Sequence, residues 1–445
     1  MNLCLIRVFN GMLFDPKLQA PLGIGSLAAV LRNAGHGIHI ADLANTPKEG
    51  WLDAVPEGYD TYGISATTGE YPVAVETMKM LRLRDNGSAF QIIGGAHASI
   101  MPEQCIADDF DVAFIGEAEE TILEWAAGGR NELIPGLAWM GEFGFQQSPK
   151  RELIEDLDTI PFPARDLMEE ATAFSDNLVT EDAKATVITA SRGCVMGCSF
   201  CSSRGVWGRT YRLRSVENIA AELKECKEKY GVEEVRFVDD QVGAKPEHLA
   251  ALCEAIGDLG LKWRTHLRVN NVTAEGLLDM KNSGCVECAL GCESFCQPIL
   301  DHNGKGTTCK QNKDAVRLIG EAGMASKLYL IIGLPGESPF TIEQTKEALL
   351  EVRPDKTNLS TFCPYPGSPV WDNPDRYDYT IEDEDWAKYW MLGGSEGGTP
   401  FVGRTFAMSR EDLLAARTDL EDWLWKNGFT TWKGKYGIAA PDSKS

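Results

Sequence analysis

Short apolar runs alternate along this chain with longer stretches in which apolar residues return every three to four positions. "LCLIRVF", "GIHIADL", "TYGISAT" and "FQIIGGAH" are separated by "GIGSLAAVLRNAGH" and "PVAVETMKMLRLRDN", and "DVAFIGEAEET" leads into a further helical pattern. Strand and helix in this rhythm predict an α/β fold, a doubly wound parallel sheet over residues 1–135. Such sheets bind ligands at the carboxyl ends of their strands. Residues 136–185 break the rhythm; "LIEDLDTIPFPARDLM" is proline-rich and partly acidic and reads as a linker. The rhythm resumes with "ATVITAS", "VEEVRFVDD", "LKWRTHLRVN", "VECALGCES", "KLYLIIGLPGES" and "KTNLSTFCPYPGS", six units that predict a partial (β/α)6 barrel over residues 186–370. One helix between them should start at the cap Ser215 and end before Gly231. Residues 371–445 carry "DEDWAKYW" and "EDLLAARTDLEDWLWKNGF" and predict a small helical extension.

Composition narrows the class. A formal charge of −23 argues against a nucleic-acid or anionic-membrane partner and reads as a solvated acidic exterior. No apolar run approaches the length of a membrane span. The opening "MNLCLIRVFNGMLF" is interrupted by Arg7 and Asn10 and reads as a buried strand rather than a signal peptide. Thirteen cysteines without a secretion signal point to the reducing cytoplasm and to metal binding rather than disulfides.

The chemistry concentrates in "SRGCVMGCSFCSSR", where Cys194, Cys198 and Cys201 follow a predicted strand at C-x3-C-x2-C spacing. Soft thiolates select zinc or iron–sulfur clusters. Structural zinc takes four ligands, so zinc would need a distant residue to complete it. Three cysteines suit three irons of a [4Fe–4S] cluster and leave the fourth iron open. Gly193 and Gly197 let the backbone wrap closely.

This loop, with Phe200 before its last cysteine, resembles the signature of the radical SAM superfamily. The resemblance extends over about residues 186–370, through "FVDDQVG", "LGCES", "IIGLPGES" and "PYPGSP". It implies that S-adenosyl-L-methionine (SAM) binds beside the cluster, with Phe200, Gly333 and Pro335 among its neighbours. Glu293 would meet the SAM amino group, Arg268 its carboxylate, and Asp239 or Asp240 its ribose hydroxyls.

In the N-terminal sheet the strand ends collect small and polar residues: "PLGIGS" with Gly23, "SATT" with Ser65, Thr67 and Thr68, "GGAH" with Gly94, Gly95 and His97, and "GEAEET" with Gly116 and Glu117. G-x-G-x-x-G is absent. The pattern resembles the cobalamin-binding domain of cobalamin-dependent radical SAM enzymes, and the resemblance implies that these nine residues contact cobalamin. None of the six histidines sits in a D-x-H-x-x-G motif, so cobalt should have no protein nitrogen ligand. His97 is expected near the corrin edge or tail, with residues 65–71 facing the lower side.

The resemblance implies a 5′-deoxyadenosyl radical that abstracts hydrogen from an unactivated carbon of a small molecule or peptide, and methylcobalamin as methyl donor. An electron donor such as flavodoxin or ferredoxin is implied too. Ring closure or oxidation, as in the anaerobic magnesium-protoporphyrin ester cyclase, is the alternative outcome. A noncatalytic iron–sulfur or corrinoid carrier is the alternative of another class. "GCVECALGCESFC" suggests a second cluster, but as a strand it holds Cys288 and Cys292 about 13 Å apart, with Cys285 on the opposite face. Buried small residues explain these thiols better. Trp386, Trp390, Trp423, Trp425 and Trp432 suit helix packing better than substrate stacking.

Overall fold

A computed structural model describes residues 1–9, 20–44, 46–168, 183–391 and 400–429. The chain divides into one compact unit of Met1–Asp176 with Gly205–Gly208 and a second of Asn177–Arg204 with Arg209–Ser445.

The first unit is a seven-stranded sheet in the order β2-β1-β3-β4-β5-β6-β7. Its strands are β1 (Asn2–Arg7), β2 (Gly37–Asp42), β3 (Thr61–Ser65), β4 (Phe90–Gly94), β5 (Val112–Phe114), β6 (Leu137–Gly141) and β7 (Gly144–Gln147). β1 to β5 are parallel. Because β1 lies between β2 and β3, the chain reverses its winding there, which opens a crevice at the strand ends.

The linker expectation for 136–185 is corrected. β6 and β7 form an antiparallel hairpin on the sheet edge, closed by Glu142 and Phe143 between the paired Gly141 and Gly144. Downstream, Ala164 N–H donates to the Gly25 carbonyl at 3.0 Å, and Ala164 and Met168 enter the core beside the helix Leu22–Asn33. The prolines shape a strap on the first unit. Residues 169–182, the rest of the expected linker, lie outside the described residues.

The second unit holds six parallel strands in the order β15-β14-β13-β12-β11-β8, an open partial barrel. They are β8 (Ala185–Ile188), β11 (Glu234–Phe237), β12 (Lys262–Leu267), β13 (Cys285–Glu293), β14 (Ala325–Ile332) and β15 (Lys356–Thr361). A two-stranded ladder of β9 (Ser191–Arg192) and β10 (Arg212–Leu213) follows β8. The helix Val216–Tyr230 has the expected ends: Ser215 accepts from Asn218 N–H, and Gly231 takes a left-handed φ of 67°. Alternate strand residues such as Val235, Leu290, Leu328 and Leu330 bury into one core with the covering helices. β13 carries one residue more than its neighbours at two places, between Cys285 and Glu287 against β12 and between Gly291 and Glu293 against β14.

The C-terminal segment is only partly helical. β16 (Tyr379–Ile381) and β17 (Gly403–Thr405) pair antiparallel, and one long helix, Arg410–Lys426, starts at the capping Ser409. Its Leu413, Leu420 and Leu424 join the barrel's core, so this segment completes the second unit. "DEDWAKYW" gives a three-residue 3-10 turn, because Asp383 and Asp385 accept the N–H groups of Asp385 and Ala387 and compete with helix formation. Trp386 packs on Tyr389 and Trp371, and Trp423 stacks on Phe429. Trp432 lies outside the described residues. Among the described residues no helix is long and apolar enough to cross a membrane.

Candidate active site

The three-cysteine loop leaves β8 through a turn that requires glycine. Gly193 has φ +89°, and a Cβ there would lie 2.5 Å from the Thr210 carbonyl oxygen. Beyond it the loop is tied down. Ser199 N–H donates to the Asn303 carbonyl at 2.9 Å, and the Ser199 hydroxyl meets Asn303 Oδ1 at 2.8 Å. Asn303 Nδ2 in turn donates to the Pro335 carbonyl at 2.9 Å. One buried asparagine thus fastens the cysteine loop to the loop after β14.

All thirteen cysteines are free thiols. Cys198 is buried, and Cys194 and Cys201 are half-buried. Burial, with Asp240 and the other two thiols, pushes the Cys201 thiol up to about 12; burial likewise raises Cys194. Iron would have to displace these protons. Two cations make three thiolates tolerable. Arg268 Nη1 stands 3.9 Å from Cys198 Sγ, and buried Lys305 reaches over the Phe200 ring at 5.7 Å. Among the described residues no three His, Cys, Asp or Glu side chains converge tightly enough for a single metal ion. Three cysteines on one loop, with Arg268 and Lys305 beside them, suit a [4Fe–4S] cluster with one iron left open.

Glu293 ends β13 with φ +62°, a strained value for a non-glycine residue. Its Oε1 accepts from Lys305 Nζ at 2.6 Å, both side chains being about nine-tenths buried. Burial drives the Lys305 ammonium down, but Glu293 and Cys198 outweigh it, and the net shift is upward. Arg268, at the end of β12, also donates to the Lys305 carbonyl. Glu293, Lys305, Arg268 and Cys198 therefore form one buried polar group. The acidic pair separates. Asp239 accepts from Ala190 N–H at 2.9 Å and from the Ser191 hydroxyl at 2.5 Å, which joins β11 to the cysteine loop. Asp240 bonds the Ser203 hydroxyl at 2.6 Å and lies on the exposed side. Gly333 has φ +87°, and its N–H donates to buried Glu337, whose carboxyl burial lifts to about 7.

Sequence reasoning passed over Lys305, Asn303, Ser199 and Glu337. Lys305 had a signal: it is a basic residue between Gly304 and Gly306, both of which adopt positive φ. The second cysteine group behaves as packing. Cys285, Cys288, Cys292 and Cys296 are all buried. Cys285 does not oppose Cys288 across the sheet; the extra residue at Val286 reverses the alternation, and the two thiols interact. Cys288→Ala and Cys292→Ala should each keep iron content near wild type by metal analysis. A halving of iron in either variant would establish a second cluster.

In the first unit the expected cofactor residues divide into open and closed sets. A Cβ at Gly23 or Gly116 would meet nothing within 4 Å, and one at Gly94 only Phe114 Cβ at 3.8 Å. With half-buried Ser65 these positions leave an open face near the strand ends, beside the Arg7–Asp42 ion pair, which fits a large flat cofactor. Gly95, at φ +96°, packs so close to Ala66 that it admits no side chain. Thr67 binds Glu70 Oε2 through both N–H and hydroxyl at 2.8 Å. Glu117 is buried and accepts from Ile154 N–H.

His97 is fully buried, stacks on Tyr71 at 3.9 Å and lies 3.4 Å from the Thr68 hydroxyl. Burial lowers it to about 4, so it packs as a neutral ring. Co(II)-cobalamin bound to this protein should show no superhyperfine splitting from a protein nitrogen by electron paramagnetic resonance. Splitting that disappears in His97→Ala would refute this.

Residues 188–349 match the model of the Radical SAM superfamily, and residues 17–126 match that of the B12 binding domain. An uncharacterized methyltransferase, PH0819, from Pyrococcus horikoshii is 29% identical over 385 residues, covering 83% of this chain and 81% of its own. The anaerobic magnesium-protoporphyrin IX monomethyl ester cyclase of Cereibacter sphaeroides is 28% identical over 371 residues, covering 80% of this chain and 58% of its own. The radical S-adenosylmethionine methyltransferase TsrM from Kitasatospora setae, solved with tryptophan and a SAM analogue, superposes with a TM-score of 0.70 at 16% identity, covering 96% of this chain and 89% of that one. That superposition bears on the fold.

Proposed function

We propose that this chain, which belongs to the cobalamin-dependent radical SAM family, methylates an unactivated carbon of a small molecule or peptide. The observation that carries the reading is the buried group of Glu293, Lys305 and Arg268 against Cys198, in a chain that also has a B12-binding unit. When bound, the reduced cluster with SAM supplies a 5′-deoxyadenosyl radical, and cobalamin supplies the methyl group.

The protein's part is to hold and to exclude. Cys194, Cys198 and Cys201 would hold three irons. Lys305 engages only Oε1 of Glu293, which leaves Oε2 to accept from the SAM ammonium. Arg268 would take the SAM carboxylate as a charge-assisted pair. Asp240, whose carboxylate is less engaged than that of Asp239, would accept from the ribose. Gly333 and Pro335 bring backbone against the ligand, and Asn303 keeps their loop in register with the cysteines. Fixing these groups before the ligand arrives lowers the entropic barrier to reaction. A reduced flavodoxin or ferredoxin would deliver the electron, and the free thiols fit a reducing cytoplasm.

The cyclase relative keeps oxidation or ring closure as the second reading. The test is anaerobic: reconstituted protein, reductant and SAM with a deuterated methyl group, added to small-molecule extract from cells lacking the protein. A product bearing the labelled methyl group supports methylation. Unlabelled product short of two hydrogens supports the cyclase-type outcome. Absence of 5′-deoxyadenosine leaves a carrier.

A further inference from the structure

Three uncharged polar side chains gather on the face of the barrel sheet turned away from its helices. Along β14, Leu328 and Leu330 enter the core shared with the helices, so Tyr329 and Ile331 take the opposite face. On β15, Leu359 does the same and leaves Asn358 and Ser360 on that opposite face. The register sets Tyr329 beside Asn358, and Ile331 beside Ser360. Tyr329 and Asn358 are half-buried, and Ser360 is 4% exposed. Among the described residues nothing bonds the Asn358 amide or the Ser360 hydroxyl.

The Tyr329 hydroxyl is nearly as open. Its partner is His266 Nε2 at 3.3 Å, which Arg236 Nη2 also reaches at 3.2 Å. A guanidinium only donates, so Nε2 is the acceptor. Burial, and then the charges of Arg236, Lys327 and Arg264, lower His266 to about 3 and keep the ring neutral. Nε2 offers one lone pair to two donors. Tyr329 therefore only shares that acceptor, and its oxygen can accept as well as donate.

Charged groups lie on either side of this neutral set. Two residues down the strands, Lys356 is bound to Glu287 at 2.7 Å, and Lys327 Nζ lies 5.5 Å from the Tyr329 ring centre. On β13 the register sets Gly291 beside Tyr329. A Cβ at Gly291 would lie 2.8 Å from Glu293 Oε1 and 3.2 Å from Lys305 Nζ. The Glu293–Lys305 pair thus fills the side-chain position one strand, about 4.8 Å, from Tyr329. Two residues up β14, Ile331 shares a cluster with Phe200 of the cysteine loop. The neutral set is therefore next to the proposed SAM site.

We propose that Tyr329, Asn358 and Ser360 form a substrate subsite that binds a neutral carboxamide group, which makes the substrate an amide or a peptide. A carboxamide carries an acceptor for the Tyr329 hydroxyl and a donor and acceptor to match the Asn358 amide. An apolar group would leave these partly buried groups unpaired. The inference rests on the reading that this unit houses the reaction.

The test uses the reconstituted holoenzyme saturated with SAM and three probes of similar size, acetamide, acetone and acetate, read by saturation-transfer nuclear magnetic resonance. Acetamide should bind saturably and more tightly than acetone, which cannot donate, or acetate, which is charged. Tyr329→Phe and Asn358→Leu should each weaken acetamide about five-fold, as expected for loss of one neutral hydrogen bond. Asn358→Leu supplies an independent variant should Tyr329→Phe fail to fold. Absence of saturable acetamide binding, equal affinity in the folded variants, or a preference for acetone or acetate overturns the subsite. Acetamide binding that occurs only without SAM also overturns it, by giving these groups to SAM. Reductant-driven SAM cleavage by wild type is measured alongside. Cleavage without acetamide binding removes only the subsite, whereas acetamide binding without cleavage removes the enzymatic reading and retains the subsite.

Discussion

Cys198→Ala should abolish SAM cleavage and remove the four-iron cluster while the protein stays folded. Cys198 is the buried thiol of the three and the one that meets Arg268 at 3.9 Å. Without it only two of the three proposed cluster ligands would remain. The fold should tolerate the change. The loop is held by Gly193, by Ser199 with Asn303, and by the β9–β10 ladder, none of which uses the thiol. Anaerobic iron and sulfide analysis with visible absorbance reads the cluster, and circular dichroism reads the sheets. Four irons per chain in the variant would sink the assignment.

The second large effect is expected at Glu293. Glu293→Gln replaces the charged acceptor proposed for the SAM ammonium by a neutral one, worth roughly 1.5–3 kcal/mol, so SAM affinity should fall about ten-fold or more. The same change strands the buried Lys305 ammonium, and breaking a buried pair on one side costs about 3–5 kcal/mol. The two losses separate in the double variant Glu293→Gln/Lys305→Met. Removing the stranded charge should restore most of the thermal stability, whereas SAM affinity should stay low. Recovery of affinity together with stability would mean that Glu293 acts only by holding Lys305. Unchanged affinity in the single variant would place the ammonium elsewhere.

Much of this arrangement is legible in the chain before folding. The alternation of periods located all six barrel strands, and the cap at Ser215 with glycine at 231 bounded a helix correctly, because both signals are local. The three cysteines are legible for the same reason: their spacing lies within one loop. Long-range effects escape such reading. Lys305 matters through Glu293, twelve residues away. Asp239 looks equivalent to Asp240 until the cysteine loop folds over it and uses its carboxylate. The hairpin of β6 and β7 is hidden because both strands are short and β7, the edge strand, has little apolar content. His97 reads as a residue near the corrin edge or tail beside two glycines, and tertiary packing places it against Tyr71 in the core.

The irregular pairing of β13 also bears on how the chain tolerates change in length. Between Gly291 and Glu293 the strand holds one residue that its neighbour does not match. Deleting Cys292 would give a more regular ladder at the expense of one buried core residue. It would also draw Glu293 back by one step, about 3.3 Å, and turn it toward the other face of the sheet. The ammonium of Lys305 would then face no carboxylate. A change of length at this position should therefore cost the Glu293–Lys305 pair, and with it the site, whatever becomes of the sheet.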